Sequence, residues 1–165
     1  MCALALASAC ASAQAVDVPA VLDPPADQSL AMVVRAKGVQ VYECRARKDG
    51  NGFEWTFVAP EAELFDRHGR HLGTHGAGPY WQAKDGSLVI GTVKARADAP
   101  VADAIPWLLL ATRNGGPEGS LSNVASIQRV NTAGGVAPAA GCGPDARSTL
   151  ARVAYTADYR LFAAR

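Results

Sequence analysis

The segment Arg152-Val153-Ala154-Tyr155-Thr156-Ala157-Asp158-Tyr159-Arg160-Leu161-Phe162 decides the fold class. Val153, Tyr155, Ala157, Tyr159 and Leu161 fall on one side of an extended chain, and Arg152, Thr156, Asp158 and Arg160 on the other. A strand separates them this way because its side chains alternate between two faces. Wound as a helix, the same residues would mix charged and apolar groups around the cylinder.

Working towards the N-terminus, the theme repeats. Ala125 to Asn131 reads as a strand, and Ile105 to Thr112 is apolar on both faces, as in a strand covered on two sides. Ser87 to Ala95 follows an Asp85-Gly86 turn, and Phe53, Trp55 and Phe57 follow the Asp49-Gly50-Asn51-Gly52 turn as a one-sided aromatic stripe expected in the core. Leu30 to Arg35 and Val39 to Cys44 alternate as two strands broken at Lys37-Gly38. Trp55, Trp107, Leu109, Tyr155 and Tyr159 are the expected core. No stretch holds a capped 3.6-residue apolar period, so helix is limited to a turn or two, placed near Pro100 to Ala104. No internal repeat points to a propeller or solenoid. The expectation is an all-β single domain, a sandwich or barrel of about eight to ten short antiparallel strands.

Composition agrees. The chain has 165 residues, 49% hydrophobic and 19% charged, enough for one domain with a core. Its 16 Lys and Arg against 15 Asp and Glu leave a formal charge of +1, so nothing favours counterion-driven binding to nucleic acid. The 16 glycines and 10 prolines call for many turns.

The N-terminus reads as an address. Met1 to Ala15 is a run of small and apolar residues ending in Ala13-Gln14-Ala15, the small-x-small pattern cut by signal peptidase, although the usual positive start is missing. The expected division is a signal over 1–15, an extended Pro-rich lead-in over 16–29, and one β domain over 30–165. Export to the periplasm or the extracellular space follows; the rival is a lipid on Cys10, in the lipobox-like run Ala7-Ser8-Ala9-Cys10. No stretch is long enough for a membrane helix, so integral membrane association is not expected. Cleavage would leave Cys44 and Cys142, which an oxidising compartment would bridge; a soft-metal pair or two free thiols are the alternatives, without CxxC spacing to support them.

All 3 histidines, His68, His71 and His75, fall within one short stretch. Asp66-Arg67-His68-Gly69 suits a hairpin loop with a glycine bulge. In that register Leu64 faces Leu72, Phe65 faces His71 and Glu61 faces His75. His71 and His75 then share a face about 13 Å apart along the strand, too far for one metal. A metal is not expected, His75 being the weak candidate, and no cofactor is implied. Gly73-Thr74-His75-Gly76-Ala77-Gly78-Pro79-Tyr80-Trp81 places an imidazole beside two aromatic rings, a combination suited to a sugar or an aromatic ligand. The bland alternative is a Gly-Pro turn with Trp81 packed inward. Gln128, Arg129 and Asn131 form the most polar strand end, with Arg129 and Asn131 on one face and Gln128 on the other. The ligand-binding candidates are therefore His75, Tyr80, Trp81, Glu61, Arg129 and Asn131. No nucleophile elbow, Walker loop, HExxH or EF-hand pattern occurs.

Several strings in order carry a resemblance: Gly38-Val39-Gln40-Val41-Tyr42-Glu43-Cys44, Pro60-Glu61-Ala62-Glu63-Leu64, Gly73-Thr74-His75 leading to Gly78-Pro79-Tyr80-Trp81, Asp85-Gly86-Ser87, Ile105-Pro106-Trp107, Ile127 to Gly135, Cys142, and Tyr155 to Tyr159. Over residues 20 to 163 the chain resembles an exported family of bacteria and fungi catalogued as domain of unknown function 3455. The resemblance implies one secreted domain and supports pairing Cys44 with Cys142. It includes His75, leaves out His68 and His71, and brings no activity. The leading expectation is an exported β domain that binds a small molecule or glycan. The alternatives are a hydrolytic or metal-dependent enzyme using His75 with Glu61 or Asp158, and an interaction domain without a pocket.

Overall fold

The computed structural model describes residues 17–165. The signal expected over 1–15 and the alternative lipid site at Cys10 lie outside the described residues. Eight antiparallel strands form one closed barrel in chain order: β1 Gln28–Ala46, β2 Phe53–Phe65, β3 His71–Gly76, β4 Tyr80–Ala83, β5 Leu88–Ala97, β6 Trp107–Asn114, β7 Val124–Gly134 and β8 Leu150–Ala164. Closure comes from β1 pairing with β8 from Gln28↔Ala164 to Glu43↔Leu150. Every strand thereby has a paired neighbour on both sides, although β3 and β4 cover only Ala62–Phe65 of β2 and Leu88–Ile90 of β5. The all-β single domain read from the sequence is what forms, and among its two offered architectures the barrel is the one adopted.

Leu30–Arg35 and Val39–Cys44 are not two strands. They are halves of β1, which is 19 residues long and runs through Gly38 without a turn. A side chain at Gly38 is impossible there, because a Cβ would lie 2.0 Å from the Glu61 carbonyl oxygen. The glycine lets β1 coil tightly against β2 where a turn was expected. The segment from Pro100 to Ala104 is turn rather than helix; the short 3-10 turns lie at Ala20–Leu22 and Pro144–Ala146.

The core holds Trp107, Tyr155 and Tyr159 as expected, with Leu109 partly buried. Trp55 is only half-buried, its indole N–H donating to the Ala140 carbonyl, and Phe57 is 50% exposed. The aromatic stripe of β2 thus lies against a loop and at the barrel mouth, because alternation shows which residues share a face and not which face is inside. The apolar outer face of β6 is covered by the lead-in. Leu22 is fully buried against Trp107 and Val130, and its carbonyl accepts a hydrogen bond from Gln128 Nε2 at 2.6 Å.

Cys44 at the end of β1 and Cys142 in the β7–β8 connection form a disulfide, with Cα atoms 5.3 Å apart. That distance is ordinary for a bridge. It ties the long connection to the barrel wall.

Candidate functional site

His75 enters the barrel from β3 through a register that differs from the sequence expectation. Phe65 pairs with His71 as expected, but a bulge between Leu64 and Phe65 moves the rest, so Leu64 pairs with Gly73 and Ala62, not Glu61, pairs with His75. One extra residue in a ladder reverses the side-chain alternation beyond it. His71 and His75 therefore do not share a face: His71 contacts the exposed Glu63, while His75 is buried.

The His75 ring stacks on Trp81, with centroids 4.3 Å apart and 19° between planes, and both meet the edge of Tyr159. Trp81 fits because Gly91 on β5 leaves room; a Cβ there would stand 2.8 Å from the indole ring. His75 Nδ1 donates to the Tyr80 carbonyl at 2.7 Å, leaving Nε2 as the ring acceptor. Burial lowers the His75 pKa to about 4, the Tyr80 hydrogen bond opposing and the Arg129 charge adding to the shift. The ring is neutral at neutral pH.

This aromatic layer divides the interior. Towards the β1 start, a pocket of about 290 Å³ is walled by Met32, Val34, Leu64, Leu72, Leu121 and Leu161. At the other end lies a larger cavity of about 540 Å³, with His75, Trp81 and Tyr159 as its floor, Gln40, Tyr42 and Arg129 in its wall, and Phe57, Val58, Val93 and Arg96 towards its mouth. Such a volume suits a small organic molecule. Arg129 Nε donates to the Pro106 carbonyl, and the guanidinium meets no carboxylate among the described residues. Burial raises the Tyr159 and Tyr42 hydroxyl pKa values, the nearby Arg129 charge pulling each down in part. The Gln40 amide lies near the Tyr155 hydroxyl, yet its Nε2 is buried without a hydrogen-bond partner, as is Trp81 Nε1.

Three sequence candidates, His75, Trp81 and Arg129, meet in this cavity; three do not. Tyr80 turns its ring over Gly76 and contributes only its carbonyl. Glu61 points outward to a bidentate pair with Arg152, and the hydrogen bonds of that pair hold the carboxyl below its usual range. Asn131 adopts φ 51° inside a bulge between Val130 and Ala133, which takes it off the face of Arg129 and onto Asp158 at the surface. Glu61 and Asp158, the acids paired with His75 in the enzyme alternative, thus both face away from it. No group of three His, Cys, Asp or Glu among the described residues is placed to hold a metal. Asp85 and Ser87 knit a loop: Ser87 Oγ donates to Asp85 and accepts from the Leu121 amide.

Sequence reading passed over Gln40 and Tyr42, and placed Tyr159 in the core without joining it to His75. The first two share a strand face with Cys44, whose expected bridge could have marked that face as the inner one.

The chain matches a family described as "Protein of unknown function (DUF3455)" over residues 25–163. No curated protein and no solved structure matches it.

Proposed function

The chain belongs to the DUF3455 family, and from that premise we propose that it is an exported binding barrel that holds one small organic molecule in its larger cavity. The observation that carries this reading is an unfilled cavity of about 540 Å³ whose apolar wall includes Arg129, a charge that no carboxylate neutralises among the described residues. Cores fill such spaces and pair such charges. A ligand would settle both. Binding is favoured over hydrolysis because no Asp or Glu lines the cavity and the neutral His75 has no acid beside it. The disulfide is compatible with export, as is the Ala13-Gln14-Ala15 pattern.

The test is thermal stabilisation by a panel of small aromatic and aliphatic compounds of each charge. It compares the natural protein with Leu108→Trp, which fills the cavity from β6. Compounds that raise the melting temperature of the first and not of the second support the reading. A panel without any hit, together with no small molecule released from protein purified from its native compartment, sinks it.

A further inference from the structure

We infer that the larger cavity takes a small planar anion, an aromatic or conjugated carboxylate, with its charge on Arg129 and its ring against the Trp81–His75 layer. This deepens the binding proposal and rests on it.

Arg129 is the polar group of the wall that the protein leaves without a counter-charge. Arg129 uses Nε on the Pro106 carbonyl, which fixes the plane of its guanidinium, while no carboxylate neutralises it among the described residues. A guanidinium offers donors only. A site that offers donors calls for a ligand rich in acceptors, and a planar fork of N–H groups fits the two oxygens of a carboxylate.

Charge points the same way. Arg129 in the wall and Arg96 towards the mouth are the charged side chains that line the cavity, and no Asp or Glu opposes them. Arg129, partly buried in the apolar wall, is less screened than the solvent-exposed Arg96, and its field attracts an anion and repels a cation. The remaining lining mixes aliphatic and aromatic groups: Leu108 and Val93 stand with Tyr42 and Phe57, whose rings meet edge to face at 5.7 Å, and the edge of the stacked His75–Trp81 pair forms part of the floor. A flat conjugated body can lie on such rings, whereas a bulky aliphatic one would lose that contact.

The test uses three probes of nearly one shape, 1-naphthoate, 1-naphthamide and 1-naphthylmethylammonium, titrated calorimetrically into the natural protein at neutral pH. The carboxylate should bind about ten- to a hundred-fold more tightly than the amide, as expected for one charge-assisted pair, and the ammonium least. Arg129→Gln should erase the preference for carboxylate over amide, Arg129→Lys should restore part of it, and Leu108→Trp should abolish uptake. Circular dichroism checks that each variant folds. If Arg129→Gln does not fold, the comparison of probes on the natural protein still decides. Equal or tighter binding of the amide or ammonium overturns the anion assignment and leaves the binding proposal standing. So does failure of naphthoate while neutral compounds of the wider panel bind. Naphthoate binding that survives in Leu108→Trp also overturns it, since the ligand would then sit elsewhere. If nothing in either set binds, both readings fall together.

Discussion

His75 illustrates how burial converts a titratable ring into a fixed dipole. Its ring lies between Trp81 and Tyr159, and its pKa falls from 6.5 to about 4 chiefly because the charged form is desolvated. Between those values the unfolded chain binds the proton that the folded one refuses, so stability rises with pH through this window and is lost as pH falls through it. The full effect is on the order of 3 kcal/mol at one site. Denaturant titrations between pH 4 and 7 should show that slope, and His75→Gln should flatten it; an unchanged slope in the variant would assign the dependence to other groups. The same residue was conspicuous in the sequence, beside Tyr80 and Trp81. What could not be read there was its partner. The ladder bulge replaced Glu61 by Ala62 opposite it, exchanging a carboxylate for a methyl group and removing the acid that a catalytic role would need.

At the scale of elements, the decisive feature is β1, which binds β2 on one side and β8 on the other. Gly38 is the point of closest approach, where even an alanine would drive its Cβ into the Glu61 carbonyl. Gly38→Val should therefore cost roughly 3 kcal/mol or more, read as a lowered urea midpoint or as failure to fold. A variant as stable as the natural protein would show that the strands can part there without loss. At its end, β1 carries Cys44, bridged to Cys142 across a separation of 98 residues. Closing a loop of this length is worth about 4 to 5 kcal/mol in the chain-entropy account. Reduction, or Cys142→Ser, should lower the melting temperature markedly in metal-free buffer, and an unchanged melting curve would refute that account. The strand pattern was legible because alternation is local. Its interruption at Lys37-Gly38 was misread because a glycine that opens a turn and one that admits a neighbouring strand look the same in one dimension.

At the scale of the whole molecule, a closed sheet must choose what to place inside and what to cover outside. The inside is incompletely filled, with two hollows separated by the Trp81 layer. The outside of β6 and β7 is apolar and is capped by the lead-in through Leu22. Removing residues up to Asp23 should expose Trp107 and strip Gln128 of its Leu22 acceptor. The expected readouts are a red-shifted, more quenchable tryptophan emission and a lower melting temperature. An unaltered emission spectrum would mean that the cover contributes nothing.

The sequence by itself determined the strand-rich class, the single domain, and the double-sided burial of the segment around Trp107. Each of these follows from local periodicity or composition. Only the tertiary structure decided that the sheet closes, that Gln40 and Tyr42 face the same hollow as Arg129, and that Glu61 and Asn131 turn away from it. Those outcomes depend on register, and register shifts at bulges such as Leu64/Phe65 and Val130/Ala133. One inserted residue reverses every side chain beyond it at small local cost, because what selects the bulge is packing against strands distant in the chain.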